Sequence, residues 1–165
     1  MLADGKTVLV STFTCGLYRI TGLETDDPKA EFVHSFRGSN CALPVVAGRY
    51  WVQTVPDSRE LVTLDVSDPS KPVEVSRLVF GDNEKPHWIS LEPNGDRIVV
   101  SGGNGALESR MLMVKLDRKT GTLSWDEAFR EAGSKVRGIT FDRPKWPHGE
   151  NGRAIPHGAV FSRPF

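Results

Sequence analysis

The stretch Leu61-Val-Thr-Leu-Asp-Val-Ser-Asp-Pro-Ser-Lys-Pro-Val-Glu-Val75 decides the fold, because two strand patterns flank a strong turn signal in it. Its β-branched and aliphatic residues favour extended backbone. In the middle, Asp68 precedes Pro69, and Pro72 follows three residues later. Asp and Ser side chains close such turns by accepting hydrogen bonds from nearby amides, and proline stops either strand from continuing. This stretch therefore predicts a β-hairpin.

The same pattern recurs on both sides of this hairpin, marked by three turn glycines. Gly5, Gly48 and Gly95 each precede a run of β-branched or aromatic residues, and they are 43 and then 47 residues apart. Asp4 and Asn94, next to two of these glycines, tolerate the positive φ of tight hairpin turns. The spacing indicates a repeat protein with a period of about 45 residues.

Each repeat predicts up to four short strands in the same order, which is the unit of a β-propeller blade. The strands are predicted at residues 7–12, 17–21, 30–36, 42–46, 50–54, 61–67, 73–80, 88–92, 97–101, 111–117, 122–129 and 158–162. At Ser124–Glu127 a helix-capping pattern makes a short helix the alternative to the outer strand. The predicted fold class is all-β.

We expect one domain, a partial β-propeller of about three four-stranded blades. Its predicted parts are blades at 1–36, 42–80 and 87–129, a loop at 134–156 and a closing inner strand at 157–162. Propellers typically have 4 to 8 blades, so three cannot close a ring. Two arrangements stay open: the chain belongs to a longer, seven-bladed propeller whose N-terminal blades are missing here, or two copies join head to tail into six blades.

Composition and the absence of certain motifs argue against several classes of function. Lys plus Arg and Asp plus Glu are both 21, so no net charge attracts nucleic acid or an anionic membrane. The sequence shows neither a membrane span nor a signal peptide, which predicts a soluble protein of the cytoplasm or periplasm. It has no P-loop, and Gly102–Gly105 lacks the spacing of a dinucleotide-binding loop. We therefore expect no nucleotide cofactor.

Three of the four histidines directly follow proline, namely His87, His148 and His157. Proline before a strand denies it an upstream hydrogen bond, so Pro-His marks the start of a strand. In the repeat, the residue before each innermost strand is Cys41, His87 or His157, which places these three at the rim of a common channel. Imidazole and thiolate are ligands of copper and zinc. The sequence thus predicts a copper site, with zinc as the alternative, in which His148 adds a fourth ligand from the loop.

The same residues also suit roles that need no metal. The imidazoles can bond rim carbonyls, or they can line a metal-free ligand or catalytic pocket. Cys41 can be a small buried residue, because free cysteine packs well in cores. Cys15 is expected to have a structural role in a hairpin connection, and His34 is expected to have no role in function.

The hairpin at Leu61–Val75 resembles the LVIVD-type propeller repeat, which is similar to YVTN-type repeats. The later segments, from Lys85-Pro-His-Trp-Ile89 to Ile155-Pro-His-Gly-Ala-Val-Phe-Ser162, resemble the last blades of bacterial proteins related to the selenium-binding protein family. That family includes methanethiol oxidases, seven-bladed propellers in which copper and thiol oxidation are implicated. The resemblance implies a metal-dependent oxidoreductase acting on a small thiol. The alternatives are a non-catalytic propeller that binds another protein and an inactive remnant.

Overall fold

A computed structural model describes residues 2, 4–149 and 152–162. Every regular element among these residues is a β-strand, and no helix occurs in them. The strands are β1 (Val8–Ser11), β2 (Gly16–Thr21), β3 (Lys29–Ser35), β4 (Pro44–Ala47), β5 (Tyr50–Val55), β6 (Glu60–Asp65), β7 (Val73–Val79), β8 (Glu84–Leu91), β9 (Arg97–Gly105), β10 (Arg110–Leu116), β11 (Leu123–Trp125), β12 (Ile139–Thr140), β13 (Asp142–Arg143) and β14 (Gly152–Arg153). The described part of the chain has no helix long and apolar enough to cross a membrane.

The strands form three successive antiparallel sheets that follow the repeat. The first sheet has the order β1-β2-β3, the second β4-β5-β6-β7, and the third β8-β9-β10-β11 with β12 also paired to β10. A small hairpin of β13 and β14 lies outside these sheets. The all-β class and the order of hairpins are confirmed. That the three sheets are blades of a propeller stays a prediction.

The turn after β6 uses the side chains that the sequence indicated. The Asp65 carboxylate accepts a hydrogen bond from the Ser67 backbone N–H at 2.9 Å, and Asp68 accepts one from that of Ser70 at 3.0 Å. These hydrogen bonds, together with those from the serine hydroxyls, hold the pKa of both carboxyls below the usual aspartate range. The charged form of both aspartates is therefore the one that holds the turn.

Two hydrophobic clusters fill the spaces between neighbouring sheets. One lies between the first and second sheets and includes Leu17, Trp51 and Leu64; the other lies between the second and third and includes Val52 and Val100. Because alternate residues of a strand point to opposite faces, the central strand β5 contributes to both clusters. The Tyr50 hydroxyl also donates a hydrogen bond to the Lys119 carbonyl at 2.8 Å, which ties the second sheet to the third.

A disulfide joins the first and second sheets. Cys15, in the β1–β2 connection with a φ of 65°, bonds to Cys41, 26 residues later and just before β4. The Cys41 backbone N–H also donates to the Phe13 carbonyl at 2.9 Å. The structural role expected for Cys15 therefore includes a covalent partner that the sequence did not reveal. Both cysteines are almost fully buried.

The C-terminal part departs from the prediction. Residues 154–162 form no strand, so the closing inner strand expected at 157–162 is absent from them. A strand needs a neighbour to satisfy its backbone groups, and residues 154–162 pair with none of the described strands. The strand expected at 122–129 is shortened to β11, the competing helix does not form, and the expected loop at 134–156 contains β12, β13 and β14.

Candidate functional site

His87 lies at a bulge inside β8 rather than at the start of a strand. The strand begins at Glu84, three residues earlier. Pro86 pairs with Gly102 and Trp88 with Ser101, and the register also shifts between Lys85 and Pro86. His87 on β8 and Gly103 on β9 are therefore both left out of the ladder. Proline lacks the N–H that a regular ladder needs, and a bulge accommodates this loss. The sequence placed His87 at the start of a strand. The structure instead places it inside β8, at an irregularity that Pro86 favours.

Both the backbone and the ring of His87 are held by neighbouring strands. Its carbonyl accepts hydrogen bonds from the Thr54 hydroxyl at 3.2 Å and from the Leu43 backbone N–H at 3.5 Å. Its ring lies over Gly103, where an added Cβ would be only 3.0 Å from ring atoms. Gly103 therefore gives the imidazole its space on β9, while the second sheet fixes the backbone of the bulge.

His157 meets His87 across 70 residues of sequence. The two rings stack with centroids 5.9 Å apart and 23° between their planes. The rings of Trp88 and His157 pack edge to face, with centroids 4.8 Å apart. These three residues, His87, Trp88 and His157, form the histidine cluster. The sequence predicted that the two histidines would converge, and the structure adds Trp88 to them.

The surroundings of His87 favour its uncharged imidazole. Burial lowers the pKa of His87, and the neighbouring charge of His157 lowers it further. Two polar atoms of the cluster, Nδ1 of His87 and Nε1 of Trp88, are shielded from solvent and have no hydrogen-bond partner among the described residues. An unpaired buried polar atom costs free energy. A bound polar group or an ordered water would remove that cost.

The other two predicted ligands make different contacts. The ring of His148 stacks on Trp146, with centroids 6.2 Å apart. Cys41 lies beside the same cavity as His87, but its sulfur is bonded to Cys15. The expected thiolate ligand at Cys41 is therefore replaced by a disulfide sulfur, which carries no negative charge.

The residues present do not fit a complete copper or zinc site. No group of three or more His, Cys, Asp or Glu side chains able to hold a metal occurs within residues 2, 4–149 and 152–162. Protein sites for these metals use three or four protein ligands. His87 and His157 alone would leave such an ion without its remaining ligands.

Trp88 lines two cavities. The first, which we name the edge groove, has a volume of about 420 Å³ and is lined by Leu9, Val10, Ser11, Thr12, Phe13, Cys41, Ala42, Leu43, Pro44, Trp51, His87 and Trp88. The second, the inner cavity, has about 520 Å³ and is lined by Leu43, Pro44, Trp88, Ile89, Ser90, Gly158, Ala159 and Val160. Neither lining includes an Asp, Glu, Lys or Arg side chain from the described part of the chain. The site is therefore suited to apolar, uncharged groups.

Comparison with known proteins supports the fold but not a family. No protein-family model matches the chain, and no curated protein matches it. Among solved structures, a candidate 6-phosphogluconolactonase from Bacteroides uniformis has a TM-score of 0.65 and 16% identity over 89% of this chain. The hypothetical selenium-binding protein of Sulfolobus tokodaii has a TM-score of 0.60 and 13% identity over 91% of this chain. At such identities the likeness is one of fold.

The chain spans less than half the length of these structures. It covers 43% of the Bacteroides uniformis protein and 42% of the Sulfolobus tokodaii protein. A protein from Lactobacillus plantarum is similar in the same way, with a TM-score of 0.62, 14% identity and 40% of its length covered. The matched part of this chain thus corresponds to a portion of a larger fold in these proteins.

Proposed function

We propose that this chain supplies three blades of a β-propeller and binds a small, uncharged, largely apolar ligand at the histidine cluster. The observation that carries the proposal is the convergence of His87 and His157 on Trp88, between two cavities without charged side chains among the described residues. Binding pockets are typically apolar with a few polar groups that orient the ligand. In this chain the imidazoles would be those polar groups.

The chemistry of the cluster favours a ligand with one thiol or hydroxyl group. A neutral imidazole has one nitrogen that accepts a hydrogen bond and one that donates. Because burial lowers the pKa of His87, its ring is neutral near pH 7. A thiol or hydroxyl hydrogen can bond to the accepting nitrogen, while the apolar remainder of the ligand packs against Trp88. The likeness in fold to a hypothetical selenium-binding protein is compatible with a thiol.

The test is a titration of the purified chain with 1-butanethiol and, separately, with 1-butanol. Tryptophan fluorescence and calorimetry report binding, and the alcohol cannot exchange with the disulfide. We expect saturable binding that is at least tenfold weaker in the His87→Ala/His157→Ala double variant. The matched control is His34→Ala on β3, which should bind like the unchanged chain. Absence of saturable binding, or binding that the double variant retains in full, would exclude this function and favour the non-catalytic protein-binding alternative.

Binding of copper, with zinc as its alternative, stays a prediction from the sequence, because His87 and His157 lie side by side but supply only two ligands. His87 and His157 would be two ligands, and the remaining ligands would have to come from outside the described residues. Metal analysis after exposure to Cu²⁺ or Zn²⁺ tests this candidate. Equal metal content in the unchanged chain and the double variant would exclude it, and with it a metal-dependent oxidation of a small thiol.

A further inference from the structure

The disulfide between Cys15 and Cys41 borders the edge groove through one of its two cysteines. Cys41 is among the residues that line the groove, together with His87 and Trp88. Cys15 is fully buried and is not part of that lining. A thiolate opens a disulfide by attacking one of its sulfurs, so access decides which sulfur is attacked. A group that enters the groove therefore meets Cys41 and not Cys15.

Hydrogen bonds hold the backbone around Cys41 independently of the disulfide. The Cys41 N–H donates to the Phe13 carbonyl at 2.9 Å, and the Ala42 N–H donates to the Thr54 carbonyl at 3.1 Å. The Ala42 carbonyl accepts a further hydrogen bond from the side-chain amide of Gln53 at 2.6 Å, and Gln53 is fully buried. Because none of these bonds involves sulfur, Cys41 keeps its place in the wall of the groove when its bond to Cys15 opens.

The groove is suited to a thiol that is small and uncharged. Its volume of about 420 Å³ has room for a short alkyl chain, and its described lining contains no Asp, Glu, Lys or Arg. Moving a charged group from water into such surroundings costs free energy. The His87 ring belongs to the same lining and offers a nitrogen that can accept a thiol proton. These surroundings disfavour large, charged thiols and provide a base for small apolar ones.

We propose that the disulfide is a thiol-exchange site that takes small, uncharged alkyl thiols from the edge groove. The thiol gives its proton to the His87 ring, and its sulfur bonds to Sγ of Cys41. The bond between Cys15 and Cys41 breaks, and Cys15 leaves with the electron pair and takes up the proton. A second thiol then attacks the sulfur of the first, so that a dialkyl disulfide leaves and Cys41 becomes a thiol. Two alkyl thiols are thereby oxidised and the protein disulfide is reduced.

This inference rests on the proposed function, because it needs a thiol bound in the edge groove. The disulfide itself is the oxidant, so each chain reacts once.

The rate of disulfide opening tests the selectivity of the groove. The oxidised chain is exposed to 1-butanethiol or to reduced glutathione at equal thiolate concentration, quenched in acid, desalted and labelled with N-ethylmaleimide. We expect 1-butanethiol to react about tenfold faster or more, and its rate to saturate, because glutathione is larger and charged. In urea, where the groove is absent, the two rates should be similar. An equal ratio in the folded and the unfolded chain would overturn the inference.

The reverse reaction tests which sulfur faces the groove. Cys15→Ser leaves the thiol of Cys41, and Cys41→Ser leaves that of Cys15, so the two variants are matched controls for each other. With dibutyl disulfide, we expect the Cys15→Ser variant to gain a butylthio group about tenfold faster or more by mass spectrometry. Equal rates in two variants that circular dichroism shows to be folded would overturn the assignment to Cys41. The selectivity measured on the unchanged chain does not depend on the folding of either variant.

Binding of 1-butanol separates failure of this inference from failure of the proposed function. The alcohol occupies the groove without reacting, so it should slow the exchange with 1-butanethiol by competition. Saturable binding of the alcohol, together with an exchange that shows no preference over glutathione, would overturn the exchange site and leave the ligand site standing. Absence of any saturable binding would overturn both.

Discussion

The first and second sheets come from equivalent stretches of the repeat, yet the strands that follow their turn glycines differ in burial. All six residues of β5 are buried, whereas only Leu9 of the four residues in β1 is. β5 lies between β4 and β6, while β1 pairs only with β2. The burial of a strand is therefore decided by its neighbours as well as by its own sequence. The second sheet therefore has a buried central strand of its own, whereas the first sheet depends on its link to the second.

Removal of the disulfide should have the largest effect, because it breaks the link between these two sheets. Cys15 and Cys41 enclose a loop with a sequence separation of 26 residues. For a loop of that length the chain-entropy relation gives a stabilisation of about 3.5 kcal/mol. We expect Cys15→Ser/Cys41→Ser to lower the free energy of unfolding by about this amount in urea denaturation. Hydrogen exchange should also accelerate more in β1–β3 than in β5 and β6.

The unchanged chain in reducing agent is the control for the disulfide variant. It should unfold at the same urea concentration as the double variant, because both lack the bond. A variant that unfolds at the midpoint of the oxidised, unchanged chain would mean that packing alone holds the first sheet against the second.

A smaller effect is expected from truncating the core of the second sheet. Leu64 is fully buried in β6, so Leu64→Ala leaves a cavity and should cost about 3 kcal/mol of unfolding free energy. Leu43→Ala removes the same atoms at the edge groove, where the side chain is 37% exposed, and should cost less than about 1 kcal/mol. Chemical denaturation measures both. Equal losses would contradict the difference in burial between these two leucines.

The smallest expected effect is a dependence of thermal stability on pH. Burial, and then His157, lowers the pKa of His87 below its ordinary value of 6.5. The unfolded chain therefore binds more protons than the folded chain below about pH 6.5. This contribution to stability is complete above pH 6.5 and is lost as the pH falls through the folded pKa of His87. We expect the melting temperature to fall between pH 7 and pH 5, and to fall less in His87→Gln.

The second histidine with a lowered pKa provides the comparison for this pH effect. Burial also lowers the pKa of His34 on β3, so His34→Gln should reduce the pH dependence as well. Measuring both variants separates the contribution of the third sheet from that of the first. A pH dependence that neither substitution changes would contradict the assignment to these two imidazoles.

Much of the fold could be predicted because local signals and the repeat agree. Hairpin turns such as Asp65–Val73 combine Asp, Ser and Pro in a short stretch, and each flanking run is β-branched. The failures occur where structure depends on a partner. Residues 158–162 carry a strand pattern, but a strand forms only when another strand satisfies its backbone groups. The pairing of Cys15 with Cys41 depends on a meeting of two sheets that spacing alone does not define.

The candidate site was predictable in part for the same reason. The repeat brought His87 and His157 to one region, because both precede equivalent inner-strand positions. The signal for Trp88 was its place directly after Pro86-His87, next to a predicted site residue. His148 lies on a long connection without a place in the repeat. Its ring contact with Trp146 follows from loop packing that no periodic pattern describes.

The bulge at His87 separates the two halves of β8. After the bulge, Trp88 to Leu91 keep a regular register with β9, so Ile89 remains directed to the core between the sheets. Ahead of it, Glu84 and Lys85 pair with Gly105 and Asn104 in the same register, so the irregularity interrupts the ladder without shifting it. The interruption leaves the His87 carbonyl available to the Thr54 hydroxyl of the second sheet, so one break in a ladder serves as a junction between two sheets while the interior pairing of the third is kept.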